Sequence, residues 1–511
     1  MKKYHITALV ASSLFFHIAI GPTAQAQTRP PSQDTSPGNE ILDPSVSARR
    51  STRPTYTFAP DINIPSGSTQ LSWESVKANF QVPAWLQDGK FGIFIHWGPY
   101  TVAAHHNEWY PKHMYNNPGI AKWHQEKFGP QDKFGYKDLI PLFKAEKFDA
   151  KEWAALFKEA GARFVVPAGE HHDRFAMWDS KLTKWDAKEM GPKRDVIGEL
   201  AKSVRAQGLK YGISNHRMFG YDFMVPADKT LKTDLYDPAY ADFYGPLPTE
   251  QKTMPNQEFV NGWLARTIEL IDLYQPDFLW FDWDGTGAEN PVKLQFANYY
   301  FTRAKQWGKQ VAFSQKGDTF PFGTGITSHE KGGRMPKEIT SNVWMVDDVI
   351  SNRSWSYVEG MTYRSATSIV HELSDAVSRN GTMMLNISPR ADGVIPQEQQ
   401  DILRSIGRWL NQNGEAIYST RPWVKASEGD VSFTVKGDAL YAICKKWPGE
   451  ALSIPSLGKG QVTSIDKISL LGSRDPIGFT QHSDKLVIKV PKEKPGEHAW
   501  VFKITGLQLK K

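Results

Sequence analysis

Tyr274-Gln275-Pro276-Asp277-Phe278-Leu279-Trp280-Phe281-Asp282-Trp283-Asp284-Gly285 is the stretch on which the reading of this chain turns. Phe278 to Phe281 form a short apolar run that reads as a buried strand, and the run stops abruptly in carboxylates, an indole and a glycine. In parallel α/β barrels the strand ends carry the chemistry, and a carboxylate placed there can serve as a nucleophile. Asp282 is the candidate. In isolation the same residues also suit a surface turn, since Asp and Gly commonly cap strands.

Working outward, residues 257–274 read as a helix leading into this strand, and strands alternate with helices on both sides. Phe91-Gly-Ile-Phe-Ile95 runs into His96-Trp97-Gly98. Asp149 and Glu152 have capping-box spacing ahead of a face made by Trp153, Leu156, Phe157 and Ala160. Phe164-Val165-Val166 leads to Glu170-His171-His172-Asp173. Asp195 opens a helix with Val196, Ile197, Leu200 and Val204 on one side, and Leu209 to Ile213 follow as a strand. Beyond the opening stretch come Val311 to Phe313, Val343 to Val346, a helix over 365–379, Thr382 to Ile387, and a last helix carrying Ile402, Ile406, Trp409 and Leu410. Around eight such units predict a (β/α)8-like barrel rather than an open doubly wound sheet. No G-x-G-x-x-G or Walker sequence follows any of the strands, so a nucleotide is not expected.

From about Trp423 the texture changes to short strand-like runs: Val431 to Thr434, Leu440 to Cys444, Ile465 to Leu471, Leu486 to Val490 and Ala499 to Ile504. These predict an appended β-sandwich. At the other end, Lys2 and Lys3 precede an apolar segment from Ile6 to Ile20 and an Ala24-Gln25-Ala26 cleavage site. That is the layout of a signal peptide, which implies export to the periplasm or the medium. The expected organisation is therefore a signal peptide over 1–26, a flexible Pro/Ser-rich leader over 27–68, a catalytic domain over 69–418 and a C-terminal sandwich over 419–511.

The 511 residues carry a formal charge of +6, spread without a Lys/Arg run, so no nucleic-acid partner is expected. No later segment has the length of a membrane span. A lone cysteine, Cys444, rules out an intramolecular disulfide even in an oxidising compartment. Aromatics are abundant, with 18 Trp, 18 Tyr and 27 Phe, which suits stacking on sugar faces as well as a large core.

Polar groups gather at the downstream ends of the predicted strands: His96 and Trp97, Glu170 to Asp173, Asn215 and His216, Asp282, and Lys316, with Glu108-Trp109 in the loop after the first strand. Strand ends of a parallel barrel converge on one mouth. Three chemistries could use it. A metal hydrolase would employ the histidines, but His171 and His172 would point to opposite faces of a continuing strand, and no H-x-H or H-E-x-x-H spacing occurs. A non-catalytic sugar-binding protein would need the aromatics and histidines alone. A glycosidase needs two carboxyl groups, one ionised and one protonated.

The residues resemble a known family, the family 29 glycoside hydrolases, which are retaining α-L-fucosidases. Lys90-Phe-Gly-Ile-Phe-Ile-His-Trp-Gly-Pro-Tyr100 with Asn107-Glu-Trp-Tyr110 is similar to the family's first strand and loop. Phe164-Val-Val-Pro-Ala-Gly-Glu-His-His-Asp-Arg-Phe175, Trp178-Asp-Ser180 and Gly191-Pro-Lys-Arg-Asp195 resemble the second. Pro276 to Asp282 resembles the nucleophile strand, and Asn380 to Pro389, Ala391-Asp-Gly393, Asn413 to Tyr418 and Arg421-Pro-Trp423 resemble the end of the catalytic domain. The resemblance implies that Asp282 attacks the anomeric carbon of a terminal α-L-fucosyl unit by double displacement. It further implies substrate contacts from His96, Trp97, Glu108, Trp109, His171, His172, His216, Lys316 and Trp344. The implied general acid/base is Glu330, in a loop Ser328-His-Glu-Lys-Gly332 ahead of Trp344 and Ser354-Trp-Ser-Tyr357; Asp284, Glu338, Asp347 and Asp348 are alternatives.

Two departures bear on fine specificity. His216 stands where many relatives have Tyr or His closer to Gly212, and Lys316 stands where many have Arg, replacing a bidentate fork by a point charge. No cofactor and no metal are implied. The partner is a fucosylated oligosaccharide or polysaccharide, with the homo-oligomeric state left open. Two other functions remain compatible with these residues: a secreted carbohydrate-binding protein without catalysis, and a retaining glycosidase of another sugar specificity.

Overall fold

The computed structural model describes residues 53–65, 72–331 and 334–509; the expected signal peptide lies outside them. Eight parallel strands close into a barrel in sequence order: β1 (Phe91–Ile95), β2 (Phe164–Glu170), β3 (Lys210–Asn215), β4 (Phe278–Phe281), β5 (Ala312–Gln315), β6 (Ile326–Glu330), β7 (Trp344–Val349) and β8 (Gly381–Ile387). The seam pairs β1 with β8, Phe91 lying opposite Met383 and Ile95 opposite Ile387. Every residue of β1, β2, β4, β5, β7 and β8 is buried. That is why Phe91–Ile95, Phe164–Val166 and Phe278–Phe281 appear in sequence as apolar runs without polar alternation.

Among the described residues seven helices have ten or more residues; Pro118–Phe128 lies in the long link after β1, and the other six are α1 (Ala150–Glu159), α2 (Val196–Ala206), α3 (Gln257–Tyr274), α4 (Pro291–Gln306), α5 (Ala366–Ser378) and α6 (Gln397–Asn413). Their ends follow local chemistry. Asp149 accepts bonds from Lys151 N and Glu152 N at the start of α1, and Asn256 caps α3 through Phe259 N. Gln275, at φ 45°, closes α3 in the left-handed conformation and turns the chain into β4. Among the described residues, the links from β5 to β6 and from β6 to β7 contain no α-helix. On the β5–β6 side the short helix Trp73–Asn79 packs instead, its Trp73 ring 6.2 Å from that of Phe320.

The C-terminal region holds a five-stranded antiparallel sheet in the order β14-β17-β11-β10-β9, a three-stranded sheet β12-β16-β15 and a pair β13-β18. The strands are β9 (Arg421–Glu428), β10 (Val431–Lys436), β11 (Ala439–Cys444), β12 (Ala451–Ile454), β13 (Val462–Ser464), β14 (Lys467–Leu470), β15 (Phe479–Gln481), β16 (Leu486–Lys489), β17 (Trp500–Thr505) and β18 (Gln508–Leu509). Phe433, Leu440, Leu457, Leu486, Ile488, Phe502 and Ile504 form the core between the sheets. The sheets dock on the barrel's helices: Asp375 of α5 accepts bonds from Ser432 and Lys445, both at 2.7 Å, and Trp409 Nε1 of α6 donates to Ala499 O at 2.8 Å. Cys444 lies in this core, where burial pushes its thiol up to about 12.

Residues 53–65 fall in the stretch expected to be a flexible leader, yet they carry specific bonds to the barrel. Arg53 Nε donates to Gly285 O at 2.6 Å and Arg53 Nη2 to Asp318 Oδ2 at 2.7 Å. Tyr56 Oη donates to Pro255 O, and the backbone of Ala59 exchanges two bonds with the Gln295 side chain. The loop that follows Asp282 is thus clasped from outside the barrel.

Candidate active site

Asp282 is the first residue past β4, and Trp280, two residues earlier, shares its side of the strand. Lys316 follows the end of β5, and its Nζ lies 2.7 Å from Asp282 Oδ1 and 2.9 Å from Glu330 Oε2. The two carboxylates therefore meet across a single ammonium, and their nearest oxygens can be no farther apart than two short ion-pair contacts end to end. Glu330 is not in a loop, as the sequence suggested, but is the last residue of β6. Its cross-strand partner in the β6–β7 register is Asp347.

Three carboxyl groups and one lysine thus share the mouth between β4 and β7, and none is more than 9 % exposed. Burial disfavours charge on Asp282, but Lys316 and the imidazoles of His172 and His216 outweigh it and hold the carboxyl well below its usual range. Lys316 is likewise penalised by burial, and Asp282, Glu330 and Asp347 together keep it charged by raising it above its usual value. Asp347 differs. Burial, opposed by Lys316 and reinforced by Glu330, moves it up to about 7. Ser328 Oγ donates to Asp347 Oδ1 and accepts from Trp280 Nε1 at 3.2 Å, so the inner wall of the site is hydrogen-bonded behind the carboxylates.

The opposite wall is made of histidines. His171 and His172 lie just past Glu170, where β2 has ended. The strand-face objection to their converging therefore does not hold: their ring centroids are 4.3 Å apart, and those of His171 and His216 are 4.7 Å apart. His96, at the end of β1, faces His171 at 5.5 Å and His216 at 5.2 Å. Asn386 of β8 fixes its ring, accepting from His96 N at 3.0 Å and contacting Nδ1 at 2.7 Å, while Asn386 Nδ2 donates to Trp355 O. Burial drives His96 and His171 well below the usual imidazole value and takes His216 down to about 4. These rings are neutral at neutral pH and offer both a donor and an acceptor to hydroxyl groups.

Glu108 Oε2 accepts from Ser354 Oγ and Trp355 N, both at 3.1 Å, and burial raises its carboxyl. Trp109 stands edge-on to His172 and beside Phe219 and Phe223. Two indoles not chosen from the sequence complete the enclosure: Trp280 at 4.9 Å from the His216 ring and Trp355 at 5.0 Å from His96. For Trp280 the signal was available, since residues two apart on a strand share a face.

Two expected substrate contacts lie elsewhere. Trp97 turns away from His96, as adjacent residues do, and its ring sits among Phe143, Phe148 and Trp153 with Nε1 donating to Arg390 O. Trp344 starts β7, at the end of the barrel remote from the mouth, and bonds Arg379 O. It packs over Gly381, where a Cβ would come within 2.6 Å of the indole. Of the alternative acids, Asp284 is turned to the buried Lys293, 2.8 Å away, and Asp348 pairs with Arg364 on the outer face of β7. Glu338 is exposed, so among these alternatives Asp347 is the one beside Glu330.

The α-L-fucosidase family profile matches residues 58–415, and the profile of the α-L-fucosidase C-terminal domain matches residues 425–505. This chain belongs to the family 29 α-L-fucosidases. It is accordingly a glycoside hydrolase acting on fucosylated glycans. Among similar proteins, the tissue α-L-fucosidase of Rattus norvegicus is 31 % identical over 465 residues, covering 85 % of this chain and 92 % of the relative. The tissue α-L-fucosidase of Homo sapiens is 30 % identical over 485 residues, covering 92 % and 96 %. The structure of a Thermotoga maritima α-fucosidase in complex with fucose superposes with a TM-score of 0.70 at 28 % identity, covering 85 % of this chain and 99 % of that one. Among the described residues no helix is long and apolar enough to cross a membrane.

Proposed function

We propose that this α-L-fucosidase removes terminal fucosyl units with retention of configuration, Asp282 serving as nucleophile and Glu330 as general acid/base. The observation that carries the reading is the pair of contacts from Lys316 Nζ, 2.7 Å to Asp282 and 2.9 Å to Glu330. Retaining enzymes need their two carboxyls about 5–5.5 Å apart, too close to admit a water between nucleophile and sugar. Two oxygens in touch with one ammonium meet that limit.

In the first step an Asp282 oxygen forms a bond to the anomeric carbon as the glycosidic C–O bond breaks, and Glu330 gives its proton to the departing oxygen. In the second, Glu330 takes a proton from water, the water oxygen attacks the same carbon, and Asp282 leaves as a carboxylate. Asp282, held ionised by Lys316, is suited to attack without prior deprotonation. The rings of His96, His171, His172 and His216, with Glu108, can bond the sugar hydroxyls, and Trp109, Trp280 and Trp355 supply apolar walls. That enclosure supports recognition of one terminal ring, hence exo action. The signal-peptide layout of residues 1–26 supports export of the enzyme to the periplasm or the medium.

The test is NMR observation of an aryl α-L-fucoside during hydrolysis. α-L-Fucose should be the first-formed anomer, and Asp282→Asn should lower kcat by about 10³-fold or more while preserving the fold. First formation of the β anomer would remove the double-displacement reading, and near-normal turnover by Asp282→Asn would remove the nucleophile.

A further inference from the structure

His172 Nε2 lies 3.4 Å and His216 Nδ1 3.5 Å from the same atom, Asp282 Oδ2. All three atoms fall within 4.8 Å of one another, and both nitrogens are buried without a hydrogen-bond partner. The contacts are too long for good N–H···O bonds. They have instead the edge length of a tetrahedral zinc site, whose metal–ligand bonds of about 2.0–2.1 Å set neighbouring ligand atoms roughly 3.4 Å apart.

The orientation of His172 strengthens the match. Its Nδ1 lies 3.0 Å from His216 O, and a carbonyl oxygen can only accept, so Nδ1 is the donor there and Nε2 is the nitrogen turned to Asp282. The Nδ1-to-carbonyl bond is also the usual support behind a metal-bound histidine. The His216 ring is steadied by Ser214, whose Oγ lies 2.9 Å from Nε2 and leaves Nδ1 turned to Asp282.

We propose that His172, His216 and Asp282 bind one borderline-soft divalent ion, of which Zn2+ is the type, and that this ion excludes the sugar. The site is inhibitory because the ion occupies the nucleophile. Nearby charge acts both ways: Lys316 on Oδ1 repels the ion, whereas the carboxyls of Glu330 and Asp347 attract it.

The test is titration of the full-length protein with cobalt(II) chloride, read by the visible absorption of four-coordinate cobalt, and with zinc chloride in the hydrolysis assay. One equivalent of cobalt should bind, its band should fade on addition of fucose, and His172→Gln should weaken binding at least about tenfold while His171→Gln leaves the band. Zinc should raise KM without changing kcat. Absence of the band, its persistence under saturating fucose, or its loss only in His171→Gln would each overturn the site. The fucose displacement uses the unmutated protein and stands if a variant fails to fold. Exclusion of the sugar rests on the proposed role of Asp282. A cobalt band that fucose displaces, in a protein whose Asp282→Asn variant still hydrolyses the fucoside at a near-normal rate, would uphold the metal site and reject that role.

Discussion

Lys316 Nζ stands 2.7 Å from Asp282 Oδ1, so the oxygen pair that defines the nucleophile is anchored at one end by a buried ammonium. Glu330 shares the same nitrogen. Replacing the lysine by methionine would leave a buried carboxylate without its counter-charge. Because Lys316 is what chiefly lowers Asp282, the acid limb of the kcat/KM profile should move to higher pH, and activity at neutral pH should fall about 10²–10³-fold. Lys316→Arg restores a cation and should recover part of the loss. A pH–rate profile of the two variants checks both statements; an unmoved acid limb in Lys316→Met would show that another group sets the state of Asp282.

Glu330→Ala should slow hydrolysis of natural fucosides by about 10²–10⁴-fold and spare a substrate whose leaving group needs no proton. Added azide should accelerate such a substrate in this variant and yield the fucosyl azide. If Asp347→Ala behaves this way and Glu330→Ala does not, the role belongs to the neighbouring strand.

Asp347 also makes stability depend on pH. Its folded value of about 7 lies above the ordinary carboxyl value of 3.8, so between the two the folded chain holds a proton that the unfolded chain has lost. This group's contribution favours folding at low pH and is lost as pH rises toward 7. Asp347→Asn abolishes the titration. Its melting temperature, relative to the parent, should therefore be more favourable at pH 8 than at pH 5, as measured by scanning calorimetry across that range.

Trp97 and Trp280 should separate cleanly in kinetics. Trp97→Ala empties a cluster of Phe143, Phe148 and Trp153, which should cost about 3–5 kcal/mol of stability while the remaining folded enzyme keeps its KM. Trp280→Phe removes the donor to Ser328 and reshapes the wall beside His216, raising KM or lowering kcat with a smaller loss of stability. Thermal melts set beside Michaelis curves distinguish them.

The barrel was legible because parallel strands buried on both faces leave unbroken apolar runs, and Asp282 because it breaks such a run. Helix α3 was legible to the residue, since Asn256 caps it and Gln275 ends it. The β5–β6 and β6–β7 links were not, because nothing in a polar segment announces that its helix is missing. Glu330 was assigned to a loop for the same reason: Ile326–Glu330 is short and alternates in burial, unlike its neighbours. Trp97 and Trp344 illustrate the opposite error. An indole beside a strand end looks like a sugar platform until the side of the strand is known, and Trp344 begins its strand rather than finishing it.

The clasp formed by Arg53 and Tyr56 has a practical side. A version of the chain beginning at Trp73 would keep every side chain assigned above to the sugar site. It would nevertheless release Gly285 and Asp318, and Asp318 is also the acceptor for Trp283 Nε1 beside the nucleophile. Where the polypeptide is cut upstream of the barrel would then govern how steadily the working carboxylate is held, and two preparations of one enzyme could differ in turnover through residues that never meet the substrate.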